Sequence, residues 1–136
     1  MSDYLFSYGT LLPEHAPPDI AATVAKLCPI GEGAVSGVLY DLGDYPGAVL
    51  DSSWDKRIFG AVFRLPDDAN VLPELDRYEG FYLSAPNAGL FLRKQHPVRL
   101  SGGRILNCWI YEYHGERVAA QIVASGRYRA KHAARE

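Results

Sequence analysis

Glu79 is the charged residue whose position most suggests chemistry. It lies in the stretch LDRYEGF, residues 75–81. Leu72, Leu75 and Glu79 are spaced i, i+3 and i+7, so a helix would place them on one face. A carboxyl group beside leucines loses contact with water, which raises its pKa toward the range useful for general acid–base catalysis. The alternative is an exposed side chain at a fraying helix end, because Gly80 follows directly and favours helix termination.

The turn Tyr8-Gly9-Thr10-Leu11 is the second candidate site. Gly9 follows a strand-like segment and frees the backbone from the usual φ restriction. A turn of this kind can direct consecutive N–H groups into one concavity, where they bind a carboxylate or a developing oxyanion. On turn chemistry alone, an ordinary strand end explains the same four residues and is the favoured interpretation.

Two further residues are candidates for substrate binding. Arg93 follows Phe91 at a spacing of two, so a strand would place both on one face. An arginine on an edge strand that faces solvent is the favoured interpretation, but a substrate carboxylate would also suit it. Tyr113 shares a strand-like segment with Trp109 and Tyr111, a set more typical of a core than of a pocket. Buried tyrosine hydroxyls nonetheless need partners.

Other catalytic schemes find little support. The sequence contains neither a GxSxG elbow nor a glycine-rich loop for phosphate or dinucleotide binding. The four histidines are dispersed, and neither cysteine belongs to a CxxC pair, so no metal ligand set is indicated. Both Cys28 and Cys108 are expected to be buried thiols. An enzyme of this sequence would therefore work with no cofactor.

Composition favours one domain over residues 1–136, with a basic, flexible tail from about residue 127. Hydrophobic residues make up 48% and charged residues 22%, which is typical of a globular protein. A net charge of −2 makes nucleic acid and anionic membranes poor partners, so a small molecule is expected instead. Neither a membrane span nor a signal peptide is indicated, which points to the cytoplasm. The sequence does not specify an oligomeric state.

The element pattern indicates an α+β fold. Segments with strand-like patterns are DYLFSYG, AVSGVLYDL, GAVLD, IFGAVFRL, LFLRKQHPVRL and RILNCWIYEY. The last of these carries bulky residues on both faces and is expected to be a central strand. Helices are expected at PPDIAATVAKL, at PDDANVLPELDRYEG and in the C-terminal segment from Arg117. Irregularly inserted helices and frequent turns favour a small, mixed sheet curled toward a barrel.

The combination of YGTL and LDRYEGF resembles the gamma-glutamylcyclotransferase-like family, including its gamma-glutamylamine and butirosin-type members. The similarity continues through LYDLGDYPGAV, FGAVFRL, FLRKQHPVRL, CWIYEY and VASG, and so extends from Tyr4 to about Tyr128. The resemblance implies a compact barrel-like sheet with helices packed around it. It also implies an intramolecular acyl transfer that converts a γ-glutamyl compound to 5-oxoproline and a free amine.

The resemblance assigns roles to the two motifs. The backbone of residues 8–11 would hold the γ-glutamyl group. Glu79 would accept a proton from its α-amino group, whose nitrogen attacks the γ-carbonyl, and would then protonate the departing amine. An intramolecular attack needs positioning and one proton carrier, not an activated enzyme nucleophile.

Three departures from the family pattern leave alternatives open. Leu12-Pro13-Glu14-His15 follows YGTL, Phe91 stands at a tyrosine position, and Arg127-Tyr128 replaces an aspartate–tryptophan pair. None of these changes Glu79 or YGTL, but they leave the amine half of the substrate undefined. The alternative function is a non-catalytic module of the same fold that binds a small carboxylate or amino compound. A structural or protein-interaction domain would be favoured if Glu79 were exposed with no cavity beside YGTL.

Overall fold

The strands form most of the structure. The computed structural model describes residues 3–43, 45–51, 55–115 and 120–128. In this part of the chain the strands are β1 (Tyr4–Ser7), β2 (Cys28–Asp41), β3 (Pro46–Leu50), β4 (Arg57–Arg64), β5 (Phe91–Leu100), β6 (Ile105–Tyr113) and β7 (Gln121–Ile122).

Five of these strands close into a mixed barrel. Strand β4 pairs antiparallel with both β1 and β2, and β2 pairs antiparallel with β3. Strand β6 closes the barrel by running parallel to β3 and to β1, with Ala48 opposite Glu112 and Leu5 opposite Trp109. Strand β5 pairs with β6 and reaches β2, and β7 adds to β2. The α+β, barrel-like fold and the central position of β6 are therefore confirmed.

Alternation along the strands separates two hydrophobic cores. In β1, Phe6 belongs to the core inside the barrel, whereas Leu5 faces the helices, as the period of two requires. The barrel core also contains Tyr8, Val35, Leu39, Ala48, Ile58, Val62, Val98, Cys108 and Ile110. The second core joins the helices to the outer face of the sheet, and its buried residues include Tyr111 and Tyr113.

Two α-helices cover this outer face. Helix α1 (Pro18–Val24) begins with proline, whose missing N–H costs nothing at a helix start. Helix α2 (Val71–Glu79) follows, and a single 3₁₀ turn spans Pro86–Ala88. The Thr23 hydroxyl donates a hydrogen bond of 3.0 Å to Glu74 and so joins the two helices. None of the described helices is long and apolar enough to cross a membrane.

The helix expected near the C-terminus is wrong for the residues that the structure describes there. Gln121–Ile122 forms β7 and pairs with Tyr40 and Asp41 of β2, so backbone pairing to the sheet overrides the local helical preference. The following turn has Gly126 at φ 71°, and the Gly126 carbonyl accepts a hydrogen bond from Phe59 N. Residues 116–119 and 129–136 lie outside the described part, as do Asp44 and residues 52–54 in two predicted turns.

The expectation of two buried thiols is half wrong. Cys108 is completely buried inside the barrel, and burial raises the pKa of its thiol to about 11. Cys28 is exposed because it is the first residue of β2 and does not lie on the buried side of a helix.

Candidate functional site

Glu79 is the last residue of α2, and the chain reverses directly after it. Gly80 adopts the left-handed conformation, with φ 72° and ψ 29°, as its type and position predicted. Gly80 N donates to Arg77 O at 3.2 Å and Phe81 N donates to Asp76 O at 2.9 Å, the pattern of a Schellman motif. These bonds satisfy the last carbonyls of α2 and hold the final turn closed. Glu79 is therefore half-buried on an ordered helix end rather than on a frayed one.

The turn of residues 8–11 follows β1. Leu12 N donates to Gly9 O at 2.9 Å, which closes the turn. Gly9 is buried, and a β-carbon added there would lie 2.5 Å from Pro46 Cγ, at the start of β3. Contacts this short do not occur between real side chains, so the close approach of the turn to β3 requires glycine.

One cavity brings Glu79 and this turn together. Its volume is about 490 Å³, within the usual range for small-molecule sites. The lining residues are Phe6, Ser7, Tyr8, Gly9, Thr10, Leu11, Tyr45, Pro46, Tyr78, Glu79, Gly80, Tyr82, Ala88, Gly89, Leu90, Phe91 and Tyr111. A cavity beside YGTL and a half-buried Glu79 are the reverse of what a purely structural domain was expected to show.

The electrostatics of the cavity are set by Glu79. Burial raises the pKa of Glu79 from its ordinary value of 4.5 to about 8. Neither lysine, arginine nor histidine is among the described residues that line the cavity, so no adjacent cation offsets the cost of ionising this carboxyl group. A pKa near 8 allows the group to accept and to return a proton near neutral pH.

The two buried tyrosines of the cavity are used within the protein. Tyr8 donates its hydroxyl hydrogen to Tyr111 O at 2.6 Å and accepts a hydrogen bond from Ala48 N. Tyr111 donates its own to Asp76 Oδ1 at 2.7 Å. Burial raises the pKa of both hydroxyls well above 10, and the charge of Glu79 adds to this effect. Both hydroxyls therefore stay protonated and act as fixed hydrogen-bond donors close to Glu79.

The other two candidate residues, Arg93 and Tyr113, do not line the cavity. The interpretation of Arg93 as a solvent-facing edge residue is wrong, because its side chain is only 8% exposed and its Nε lies 2.9 Å from Asp76 Oδ1. Tyr113 is buried in the core that joins helices and sheet, with its ring 5.5 Å from that of Phe91.

Several lining residues were absent from the sequence-based candidates. Tyr78, next to Glu79, forms a hydrogen bond with the Thr10 side chain and so connects α2 to the turn. Tyr82 and Leu90 line the cavity from the loop between α2 and β5 and are both largely exposed, at its rim. Adjacency to Glu79 is the signal that could have identified Tyr78, whereas the loop carries no periodic pattern. Phe91, where the resemblance led us to expect a tyrosine, lines the wall without a hydroxyl.

A metal centre has no ligand set in the described residues. No group of three or more histidine, cysteine, aspartate or glutamate side chains there is arranged to hold an ion. The polar groups that converge on the cavity are one carboxyl group, the hydroxyls of serine, tyrosine and threonine residues, and the backbone of the turn.

The closed mixed barrel with helices on its outer face matches the fold of known proteins. The family described as "Gamma-glutamyl cyclotransferase, AIG2-like" matches residues 5–130, and the chain belongs to it. No curated protein matches the chain.

Solved structures show the same fold at low identity. An AIG2-like protein from Mus musculus is 17% identical with a TM-score of 0.72, over 95% of this chain and 89% of that one. A structure titled gamma-glutamyl cyclotransferase is 16% identical with a TM-score of 0.63, over 90% of this chain and 70% of the other. YkqA from Bacillus subtilis is 22% identical with a TM-score of 0.68; the match covers 94% of this chain and only 40% of YkqA.

Proposed function

We propose that the protein is a cofactor-independent cyclotransferase that converts a γ-glutamyl amine or amino acid to 5-oxoproline and a free amine. Membership of the gamma-glutamyl cyclotransferase, AIG2-like family supports this class of activity. The observation that carries the proposal is the half-buried Glu79, which lines the same cavity as the turn of residues 8–11 and whose pKa burial raises to about 8.

The turn supplies the binding groups in this proposal. The γ-glutamyl group carries an α-carboxylate, and the described lining residues include no cationic side chain to pair with it. Neutral donors must therefore bind it: the backbone N–H groups of Gly9, Thr10 and Leu11 can do so, and Gly9 leaves room for close approach of the ligand. Pro46 and the hydrogen bond between Thr10 and Tyr78 hold the turn in place.

Glu79 carries the proton through the reaction. As a carboxylate it takes a proton from the substrate α-ammonium group, which frees the nitrogen lone pair. The nitrogen attacks the γ-carbonyl carbon, and the turn donates hydrogen bonds to the resulting oxyanion. The C–N bond to the leaving amine then breaks while Glu79 returns its proton to the departing nitrogen. Glu79 then takes the second proton from the ring nitrogen and passes it to the released amine, which leaves as an ammonium ion. The ring that forms is 5-oxoproline, and Glu79 ends as the carboxylate that began the cycle.

The raised pKa suits both halves of this cycle. A carboxylate with a pKa near 4.5 would be a weak base toward an ammonium group, whereas one near 8 is much closer to the substrate in proton affinity. The same group, once protonated, remains a strong enough acid to protonate the leaving amine. Attack within one bound molecule needs no enzyme nucleophile, because orientation alone supplies a large rate effect.

Glu79→Gln tests the proposal. The substitution keeps the size and hydrogen-bonding shape of the side chain but removes the proton carrier, so release of 5-oxoproline from γ-glutamyl substrates should fall by about 1,000-fold. The matched control is Glu74→Gln on the same helix, where the amide oxygen still accepts the hydrogen bond from Thr23. That control should retain the parent rate.

Calorimetry on the same panel separates the enzyme from the binding module. If a γ-glutamyl alkylamide and a γ-glutamyl amino acid both bind to the parent without forming 5-oxoproline, the module is the correct function. If the parent forms 5-oxoproline and Glu79→Gln forms it at the same rate, the protein is a cyclotransferase but Glu79 is not its proton carrier.

A further inference from the structure

Asp76 is a charged residue in an apolar setting one helical turn before Glu79. It is 9% exposed and lies beside Leu75, which is completely buried between α2 and the sheet. Burying a carboxyl group without partners is strongly unfavourable. Asp76 has two: Tyr111 donates a hydrogen bond to Oδ1 at 2.7 Å, and Arg93 Nε lies 2.9 Å from the same atom.

Two aromatic rings hold the Arg93 guanidinium group beside Asp76. Its guanidinium carbon lies 4.3 Å from the centre of the Trp109 ring and 5.4 Å from that of Phe81, within range of cation–π attraction. Strands β5 and β6 pair so that Arg93 lies directly opposite Tyr111. Both partners of Asp76 therefore belong to one cross-strand residue pair. Arg93 is therefore occupied inside the protein and is not a free cation of the cavity.

The contacts of Asp76 continue into the catalytic cavity. Tyr111 lines that cavity, and its carbonyl accepts the hydrogen bond from the Tyr8 hydroxyl. Tyr8 is the first residue of the turn that is proposed to bind the substrate. Asp76 also accepts, through its backbone carbonyl, the Phe81 N–H bond that closes the end of α2. Asp76 thus connects the helix end that carries Glu79 with β6, where the Tyr111 carbonyl binds the hydroxyl of Tyr8 in the turn.

We propose that Asp76, paired with Arg93, is a positioning residue that fixes Glu79 relative to the turn of residues 8–11 by acting through Tyr111. This inference rests on the proposed function for its kinetic consequence, but the contacts that carry it do not depend on the reaction. The role of Asp76 is not to touch the substrate, because the residue does not line the cavity. Displacement of a reacting group by about 1 Å is enough to lower a rate by about 100-fold.

The test uses a double-mutant cycle on Asp76→Asn and Tyr111→Phe. Asp76→Asn removes the negative charge, which weakens the hydrogen bond from Tyr111 and the pairing with Arg93, and Tyr111→Phe removes the hydroxyl donor, each with little change in volume. We expect each to lower kcat by about 10-fold or more, while KM for a γ-glutamyl alkylamide changes by less than about threefold. The double variant should lose no more than the worse single variant, because both changes affect kcat through the one contact between Asp76 and Tyr111. Asp68→Asn is the matched control, since Asp68 precedes the same helix and pairs with Lys26 at the surface.

A purely structural role for Asp76 would give a different pattern. It would lower Tm yet leave kcat unchanged for the folded fraction at a temperature well below the transition, and that result would overturn the inference. Equal kcat values in the parent, Asp76→Asn and Tyr111→Phe would overturn it as well. If Asp76→Asn does not fold, the decision rests on Tyr111→Phe, which keeps the buried ion pair intact.

A titration of Glu79 separates this inference from the proposed function. In the parent, ¹³C NMR of the Glu79 carboxyl group should give a midpoint near pH 8, and loss of the anchor should lower it by a unit or more as water enters. A parent that makes no 5-oxoproline but shows this shift in Asp76→Asn, and none in Asp68→Asn, would contradict the proposed function and support the positioning role. Unchanged midpoints in every variant of such an inactive parent would overturn both.

Discussion

Two carboxyl groups on one face of α2, the buried Asp76 and the half-buried Glu79, have opposite surroundings. Asp76 receives a hydrogen bond from Tyr111 and lies beside the Arg93 guanidinium group. Glu79, three residues later, faces a cavity whose described lining contains no cation. Burial raises the pKa of Asp76 as well, but there the hydrogen bond and the positive charge act against it. At Glu79 burial acts alone and brings the pKa to about 8.

These different surroundings suit the two carboxyl groups to different roles: Asp76 to fixing the helix and Glu79 to transferring a proton. A carboxyl group with a hydrogen-bond donor and a positive charge beside it is held in one geometry, which suits an anchor. A carboxyl group without a charged partner gains and loses its proton near neutral pH, which suits acid–base catalysis. The two roles require different surroundings, and a single helical turn provides both.

The largest predicted effect concerns the partnered carboxyl group. Arg93→Met keeps much of the apolar contact with Trp109 and Phe81 but removes the charge beside Asp76. We expect the free energy of unfolding to fall by about 3 kcal/mol, because removal of one member of a buried pair leaves the other uncompensated. Urea unfolding at neutral pH measures this change.

Lys26→Met is the matched control for that experiment. The pair between Lys26 and Asp68 is exposed, at 49% and 36% of the two side chains, so water screens it and little stability depends on it. Equal losses in the two variants would show that the Asp76 pair is not special.

The unpartnered carboxyl group should behave with the opposite sign. The folded protein keeps the Glu79 proton up to a pH of about 8, whereas the unfolded chain loses it near 4.5. Between these values the unfolded state binds fewer protons, so the free energy of unfolding falls as pH rises, by at most about 1.4 kcal/mol per pH unit from this group. Glu79→Gln removes this slope. Between pH 5.5 and pH 7.5, the free energy of unfolding of the variant should therefore rise relative to that of the parent by roughly 2 kcal/mol.

Unfolding curves at those two pH values, with Glu74→Gln measured in parallel, test this second prediction. A constant difference between Glu79→Gln and the parent would mean that Glu79 has an ordinary pKa in the folded protein.

The sequence predicted the site where local rules determine the structure. Leucine spacing and Gly80 defined the end of α2, and Gly9 marked the turn after β1, because each depends on residues close in the chain. Asp76 was overlooked although it lies three residues before Glu79 and four after Leu72, a spacing that places it on the same face.

Local rules could not predict the contacts between elements that are distant in the sequence. The partners of Asp76 come from β5 and β6, and which pair of that hairpin lies under α2 depends on how the helix docks. For the same reason Arg93 was interpreted as an edge residue facing solvent, although its strand had been identified. The C-terminal segment was assigned to a helix because its own sequence does not show that β2 is available to pair with it. In the structure, Gln121–Ile122 pairs with β2 as β7.

The pH dependence of kcat/KM for 5-oxoproline release tests the central claim most directly. If Glu79 is the proton carrier, kcat/KM should rise about tenfold per pH unit and level off near the Glu79 pKa of about 8. It should fall again once the substrate α-amino group loses its proton. A rate that is already constant from pH 5.5 upward would contradict the account, because it would mean that the working group ionises at the pKa of an ordinary exposed carboxylate.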